Sequence, residues 1–257
     1  MNAQSPKSER PELLAHLVVD SARLPLVVGL DIDGVLSPIV DHAANAQLLP
    51  GMLDDVIALS MRTPVAVVSG RNLESIDELF EFPDHVIVIG THGLERRGIA
   101  TDVGFEESER LSGFAELIER AAERAGEGAW VERKELSVAL HTRRAAPGPS
   151  VEAAAWLASA FEHVDGGMLK SGKGVVELMA RPASKATAVA ELRRELGAAT
   201  ALFVGDDLTD EEVFASFGPD DWSVRVGPGP TKAQHRLADP PAVQLLLRCL
   251  AQQLQHL

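Results

Sequence analysis

The chain has 257 residues, of which 46 % are hydrophobic and 24 % charged, a composition typical of one large globular domain or two small ones. Its net charge of −14 argues against nucleic acid or a membrane surface as a partner, and an anionic substrate therefore requires a cationic pocket or a metal. A lone cysteine, Cys249, excludes an intrachain disulfide, and the lack of a secretory signal or a long apolar run predicts a cytoplasmic protein. The oligomeric state is not determined by the sequence, and a monomer is compatible with it.

Short apolar runs rich in β-branched residues predict buried parallel strands in the first and last parts of the chain. The runs are Leu26–Ile32, Val65–Ser69, Val86–Gly90, Leu202–Gly205 and Val224–Val226. Helical patterns alternate with them, at Gly51–Arg62, Asn72–Phe80, Lys185–Leu196 and Asp210–Phe217. This alternation predicts an α/β fold with a doubly wound, Rossmann-like parallel sheet, whose ligands bind beyond the carboxyl ends of the strands.

The middle of the chain has a different pattern, which predicts an inserted α+β domain over residues 106–178. Residues 1–105 and 179–257 would then form the core domain. The predicted elements of the insertion are a helix Glu107–Arg124, paired strands Trp130–Glu132 and Leu136–His141, a helix Ser150–His163, and a hairpin Met168–Leu169 with Val175–Leu178. We expect Ser150 to be the N-cap of the second helix, and residues 170–174 to form the hairpin turn.

Two carboxylates, Asp31 and Asp33, stand one residue apart after the first predicted strand, in the run LDIDG at residues 30–34. Like charges this close raise each other's pKa unless a cation lies between them. Carboxylate and carbonyl oxygens suit Mg²⁺, and Gly34 permits a tight turn. The alternative interpretation is a solvated turn, in which Asp and Gly are also common.

A second acidic run, VGDDLTDEE at residues 204–212, follows another predicted strand. Asp206, Asp207 and Asp210 are placed to reach the same cation, directly or through water. Negative charge is also favourable at a helix N-terminus. That alternative explains Asp210 well, but it explains Asp206 and Asp207 poorly.

Two further features indicate phosphate binding. Ser69 and Gly70, in the run VVSGR, precede a predicted helix, where backbone N–H groups can donate to the oxygens of a phosphate group. Arg71 of the same run suits a phosphate or a sugar hydroxyl. Lys185 lies near the start of a helix, where a cation is unfavourable unless it has an anionic partner. A common Ser-Gly turn and an exposed lysine are the alternatives.

Together and in this order, the four features resemble the motifs of the haloacid dehalogenase phosphatase superfamily. The runs GTHGLERR at residues 90–97, VERKELSVALHTRR at 131–144 and the Glu177 and Arg181-Pro182 region narrow the resemblance to the trehalose-6-phosphate phosphatase family. That family has a mixed α/β cap inserted at the position of the predicted second domain. The resemblance implies a Mg²⁺-dependent phosphomonoesterase that hydrolyses a small sugar phosphate, trehalose 6-phosphate, to trehalose and phosphate through an aspartyl-phosphate intermediate.

The resemblance also implies roles for the individual residues. Asp31 would be the nucleophile and Asp33 the general acid/base. The implied metal site comprises Asp31, Asp33, Asp206, Asp207 and Asp210, and the implied phosphate site comprises Ser69, Gly70 and Lys185. The implied substrate-binding residues are Arg71, His92, Gly93, Glu132, Lys134, His141, Arg143 and Glu177.

The chain departs from the family pattern at a few positions. Val35 replaces a usual Thr, Ile32 a usual aromatic residue, Thr142 a usual Tyr and Ala186 a common Gly. None of these removes a catalytic carboxylate, so they bear on substrate identity more than on reaction type. Two alternatives stay open, namely the same chemistry on another sugar or pseudo-disaccharide phosphate, and a non-catalytic regulatory partner of a synthase.

Overall fold

The computed structural model describes residues 6–100, 102–172 and 174–256. The chain divides into two compact units, Met1–Ala100 with Ser184–Leu257, and Thr101–Ala183. In chain order the elements are α1 (Pro11–Ser21), β1 (Leu26–Leu30), α2 (Met52–Ser60), β2 (Val65–Val68), α3 (Leu73–Leu79), β3 (Ile87–Gly90), β4 (Glu95–Arg96), α4 (Phe105–Ala125), β5 (Trp130–Arg133), β6 (Ser137–His141), α5 (Pro147–Phe161), β7 (Met168–Gly172), β8 (Val175–Met179), α6 (Lys185–Glu195), β9 (Thr200–Gly205), α7 (Leu208–Ser216), β10 (Trp222–Val226), β11 (His235–Leu237) and α8 (Pro240–Gln253).

The first unit is built on a sheet with the strand order β11-β10-β9-β1-β2-β3-β4. All neighbouring strands in it run parallel except β3 and β4. The central strand β1 is buried along its whole length, because side chains of α1, α2 and α8 pack on one face of the sheet and those of α6 and α7 on the other. The predicted doubly wound α/β fold is confirmed.

The second unit is a four-stranded antiparallel sheet in the order β5-β6-β8-β7, with α4 and α5 packed on one face. Its core includes Phe114, Ile118, Leu140, Leu157 and Leu178. Side chains that alternate with the core positions along β5, β6 and β8 lie on the other face of the sheet. That face carries most of the polar residues to which the family resemblance assigns sugar binding.

Several element boundaries differ from the sequence prediction. Helix α5 begins at Pro147 after Ala146 rather than at Ser150, because proline is well tolerated in the first turn, where its missing N–H has no partner to lose. The Ser150 hydroxyl instead donates to the Ala146 carbonyl, so the N-cap prediction is wrong. Strand β1 ends at Leu30, two residues earlier than predicted. Strand β7 continues to Gly172, so residues 170–172 of the predicted hairpin turn belong to the strand, and Lys173 lies outside the described residues.

Helices α1 and α8 and strands β4 and β11 are additional to the prediction. The carboxylate of Asp239 accepts from the Ala242 N–H and caps α8, whose first turn contains proline. Among the residues that the structure describes, none of the helices has the length and apolar character needed to cross a membrane.

Candidate active site

Asp31 stands immediately beyond the buried end of β1 and is only 5 % exposed. Its backbone N–H donates to the Val204 carbonyl at 3.0 Å, which continues the pairing with β9. Its Oδ1 accepts the Ile32 N–H at 2.7 Å. The carboxylate is therefore fixed by the edge of the sheet, with Oδ2 directed to other partners.

The turn after Asp31 requires a glycine. Gly34 has φ +80°, and a Cβ there would collide with the Asp206 carboxylate. The N–H groups of Val35, Leu36 and Ser37 all donate to the Ile32 carbonyl. This compact turn lets the backbone beside Asp33 approach the acidic loop after β9.

Lys185, the first residue of α6, is 2 % exposed and joins two carboxylates. Its Nζ lies 2.8 Å from Asp31 Oδ2 and 2.8 Å from Asp210 Oδ1. Burial lowers the pKa of this ammonium, but the adjacent Asp210 and Asp31 outweigh that effect and raise it above its ordinary value. Lys185 is therefore a permanently charged group at neutral pH.

Asp210 organises the acidic loop from within α7. Its Oδ2 accepts the N–H groups of Asp206 and Asp207 at 2.8 and 2.9 Å, and its Oδ1 accepts from Lys185. The side chain is fully buried. Both oxygens of Asp210 thus have protein donors, whereas Asp206 is directed toward Asp31.

Three carboxylates form a donor set suited to a hard divalent cation. Oxygens of Asp31, Asp206 and Asp210 all lie within 4.8 Å of one another. Burial, then the neighbouring Asp210 and Asp207, raises the pKa of Asp206 to about 7. Burial also raises the pKa of Asp31 well above its usual range, with Asp210 and Asp206 adding to the effect and Lys185 opposing it. A bound cation would relieve this repulsion, so the residues fit a metal.

Asp33 is held by Arg71 in a bidentate ion pair. Arg71 Nε donates to Oδ2 and Nη2 to Oδ1, each at 2.7 Å. The third guanidinium nitrogen, Nη1, donates to the Ala43 carbonyl at 2.9 Å. The Arg71 side chain is 9 % exposed and that of Asp33 is 40 % exposed. The sequence predicts Arg71 as a substrate-binding residue and does not indicate its pairing with Asp33.

The loop after β2 lies beside the turn after β3. The Ser69 side chain is buried, and its Oγ accepts the Arg71 N–H at 3.2 Å. The imidazole of His92 covers Gly70 so closely that a Cβ at Gly70 would lie 2.7 Å from the ring. Gly93, next to it, packs against Ser184 and Ala188 at the start of α6. The structure thus brings Ser69, Gly70, His92 and Gly93 together.

In the second unit, two polar clusters occupy the side of the sheet opposite the helices. Lys134 Nζ lies 2.9 Å from Glu177 Oε1, which also accepts from the Ser137 hydroxyl at 2.5 Å. His141 Nε2 lies 2.7 Å from Glu132 Oε2. Glu177 and Ala139 are cross-strand partners, as are Ala139 and Glu132, so both clusters share one face. Arg143 follows β6 in the next turn.

The sequence interpretation missed two residues that contact these groups. The indole of Trp130 stacks on His141 with ring centroids 4.5 Å apart. It lies two residues before Glu132 on β5, and this spacing of two was a usable signal that they share a face. In the first unit, buried Glu95 bonds to the turn that contains His92.

A family model for trehalose-phosphatase matches residues 29–240 of the chain. The chain belongs to the trehalose-phosphatase family. The resemblance to this family within the haloacid dehalogenase superfamily is therefore confirmed, and the match includes every residue assigned to the predicted site.

Known proteins similar to this trehalose-phosphatase family member differ widely in length. The trehalose-6-phosphate phosphatase of Escherichia coli is 31 % identical over 249 residues, which cover 88 % of this chain and 86 % of that protein. An uncharacterized glycosyl hydrolase of Mycobacterium tuberculosis is 33 % identical over 208 residues, 76 % of this chain but only 15 % of that protein. The chain therefore spans a small part of some relatives.

Similarity to solved structures supports the fold. The C-terminal domain of the Candida albicans trehalose-6-phosphate phosphatase matches with a TM-score of 0.81 over 98 % of this chain and 99 % of that one, at 23 % identity. At this identity the likeness establishes the α/β fold and carries no information about the substrate.

Proposed function

We propose that the chain is a Mg²⁺-dependent phosphomonoesterase that hydrolyses trehalose 6-phosphate to trehalose and phosphate. The observation that carries the proposal is the position of Asp31, buried between the Lys185 ammonium and the Asp206 carboxylate. A carboxylate in this setting is oriented as a nucleophile and has a cation beside it. Membership of the trehalose-phosphatase family supports the choice of substrate.

The proposed metal ligands are the carboxylates of Asp31 and Asp206 and the backbone carbonyl of Asp33, with Asp207 and Asp210 in support. Mg²⁺, when bound there, would neutralise negative charge on the phosphoryl oxygens. Asp210 has both oxygens bonded to Lys185 and to the acidic loop. It is therefore suited to support the ligands rather than to replace one.

The reaction would proceed in two steps. An oxygen of Asp31 attacks phosphorus and the bond from phosphorus to the sugar oxygen breaks, which leaves an aspartyl-phosphate. Asp33 gives its proton to the departing sugar oxygen and then accepts a proton from the water that hydrolyses the intermediate. Lys185, Ser69 and the N–H groups after Ser69 would bind the phosphoryl oxygens throughout.

We propose that residues 106–178 are a cap domain that determines the sugar. Glu132, Lys134, His141 and Glu177 share one polar face, and Arg143 follows the strand that carries His141. Closely spaced carboxylates and cations suit a disaccharide with many hydroxyl groups. Arg71, His92 and Gly93 stay proposed substrate contacts of the first unit.

A panel of sugar phosphates tests this function, with release of inorganic phosphate as the readout. Trehalose 6-phosphate should give the highest kcat/KM, turnover should require Mg²⁺, and Asp31→Asn should be inactive. Near wild-type turnover by Asp31→Asn would eliminate Asp31 as the nucleophile. Because Thr142 departs from the family pattern, another sugar phosphate is the second candidate, and a higher kcat/KM for it would replace trehalose 6-phosphate.

The proposed role of the cap is tested by two alanine variants, Glu132→Ala and Arg143→Ala. Each should raise KM for trehalose 6-phosphate far more than KM for p-nitrophenyl phosphate, because only the sugar ester has hydroxyl groups to bind. Exposed Glu119, whose partner is Arg133 on the surface of the same unit, offers the control Glu119→Ala. Equal effects on both substrates would contradict sugar binding by this face.

A further inference from the structure

Glu95 is a buried carboxylate that lies outside the proposed catalytic cluster and is 4 % exposed. The Thr91 hydroxyl donates to its Oε1 at 2.7 Å, and the Leu73 N–H donates to its Oε2 at 2.8 Å. A buried charge is retained in a fold when its oxygens are hydrogen-bonded. The partners of Glu95 belong to two different segments, the turn after β3 and the start of α3, so the side chain joins them.

The turn that Glu95 holds has a strained backbone. Thr91 has φ +44° and His92 has φ +55°, a region that a β-branched residue such as threonine rarely adopts. Such conformations persist where the surrounding contacts over-determine them, and they cluster at ligand sites. The bond from Thr91 to Glu95 is one of those contacts.

The strained turn interlocks with the loop that is proposed to bind phosphate. The His92 N–H donates to the Ser69 carbonyl at 2.9 Å, and the Thr91 N–H donates to the Arg71 carbonyl at 2.8 Å. The His92 ring lies directly against Gly70. On its other side the turn packs so closely against Ser184 and Ala188, at the start of α6, that Gly93 has no room for a Cβ. Lys185 follows Ser184, so the turn contacts both segments that carry phosphate-binding groups.

We propose that Glu95 is a positioning residue for recognition of the phosphoryl group. Glu95 fixes the strained turn through Thr91 and Leu73. The turn then determines the positions of the Ser69–Arg71 loop and of the His92 imidazole. This inference rests on the proposed phosphatase function, but it concerns the phosphate alone and not the sugar. Loss of the Glu95 bonds should weaken binding of every phosphate ester and of inorganic phosphate alike.

The test compares three variants of the full chain with Mg²⁺ present. Thr91→Val removes one bond to Glu95 without changing the size of the side chain, and Glu95→Met removes both. Glu95→Gln can keep both, because its amide oxygen can accept from Leu73 and its NH₂ can donate to the Thr91 hydroxyl. The readouts are KM and kcat for p-nitrophenyl phosphate, the inhibition constant of inorganic phosphate, and phosphate affinity by calorimetry.

We expect Thr91→Val and Glu95→Met to raise KM and the phosphate inhibition constant by about tenfold, the factor that corresponds to about 1.4 kcal/mol of binding free energy. Because binding in the ground state and in the transition state should weaken together, kcat should change much less. Glu95→Gln should remain within about twofold of the wild type, since the hydrogen bonds and not the charge fix the turn. If Glu95→Met does not fold, Thr91→Val and Glu95→Gln decide the question.

Asp221→Asn is the matched control for a purely structural effect. Asp221 is also a buried carboxylate that accepts backbone N–H groups, from Ala201 and Gly218, but it lies by the first residues of β9, away from the strand end that carries Asp206. The Asp221→Asn substitution should lower the melting temperature without changing the affinity for phosphate.

A Thr91→Val variant that loses thermal stability while its phosphate constants stay at wild-type values would overturn the proposal. So would a Glu95→Gln variant as impaired as Glu95→Met. If the wild type binds phosphate but hydrolyses no sugar phosphate, the sugar assignment fails, and the same three variants still test the role of Glu95.

Discussion

The proposed nucleophile should weaken the fold that holds it. Asp31 is buried, and burial together with the neighbouring Asp210 and Asp206 raises its pKa despite the contact with Lys185. A group whose pKa is raised in the folded state stabilises that state only while it is protonated. This stability is present below the unfolded pKa and is lost as the pH rises through the folded value. We therefore predict that Asp31→Asn raises the free energy of unfolding at pH 8 when divalent metals are absent.

The magnitude follows from the geometry of the cluster. Carboxylate oxygens of Asp31, Asp206 and Asp210 lie within 4.8 Å of one another, so each pair repels by about 3.5 kcal/mol at an effective dielectric constant of about 20. Lys185 at 2.8 Å attracts Asp31 by about 6 kcal/mol on the same scale. Asp31 thus has a small net repulsion in addition to the penalty of its burial. Removing its charge should stabilise the protein by about 0.5–2 kcal/mol, the usual range for a single stabilising substitution.

The assay is urea unfolding of wild type and Asp31→Asn at pH 8, once with EDTA and once with excess Mg²⁺. With EDTA the variant should be the more stable. With Mg²⁺ at one hundred times its Kd, the wild type should gain about 2.7 kcal/mol, and the variant should gain less because it lacks one anionic ligand. The advantage of the variant should also shrink as the pH is lowered and Asp31 takes up a proton.

Asp33→Asn is the control, because we expect no gain in the free energy of unfolding from it. Asp33 has its carboxylate in a bidentate pair with Arg71, so loss of its charge should lower stability or leave it unchanged. If Asp31→Asn were less stable than the wild type in EDTA, Lys185 would outweigh the burial and the repulsion. The account of the cluster given above would then be wrong.

Three further predictions concern the neighbouring charges. Because the pKa of Asp206 is raised to about 7, Mg²⁺ must displace a proton below that pH. The affinity of the protein for Mg²⁺, measured by calorimetry, should fall up to about tenfold per pH unit from pH 7 to 5.5. A Mg²⁺ affinity that does not change with pH would contradict this. Lys185→Met leaves Asp31 and Asp210 buried without their cation, so turnover should vanish and urea unfolding should show a loss of about 3–5 kcal/mol, partly restored by adding Asp31→Asn. A lysine at position 71, in the variant Arg71→Lys, cannot keep both bonds to Asp33. We therefore expect kcat for the sugar phosphate to fall about tenfold, which corresponds to about 1.4 kcal/mol of activation free energy. An unchanged kcat would show that this ion pair does not serve the reaction.

The fold could be predicted from the sequence where burial leaves a clear pattern. The strands of the parallel sheet are apolar on both faces and therefore appear as continuous runs such as Leu26–Leu30. Helix α8 has usable sequence signals at its start, namely the Asp239 cap and the prolines that follow it. Helix α1 has proline in its first turn but no side-chain cap, and its signal is correspondingly weaker.

The grouping of site residues could be anticipated only to the level of the sheet edge. Parallel strands end on the same edge, so Asp31, Ser69 and Asp206 were expected close together. The sequence does not determine which partner each side chain takes. Asp210 was expected near a metal, but its two oxygens bond to Lys185 and to the loop backbone. Such assignments depend on distances of a few tenths of an ångström, which no spacing in the sequence encodes.

The pairing of Asp33 with Arg71 bears on how two carboxylates so near in sequence can have different roles. Asp31 is 5 % exposed and touches Lys185, so its oxygen is oriented and shielded from water, as a nucleophile requires. The Asp33 side chain is 40 % exposed, so the departing sugar oxygen and the hydrolytic water can both reach it. Distinct environments are what give two neighbouring carboxyl groups separate functions. Because Arg71 binds both oxygens of Asp33, one of those bonds must open before Asp33 can donate a proton. Substitution of Arg71 should therefore alter proton transfer by Asp33, an effect that is measured in kcat.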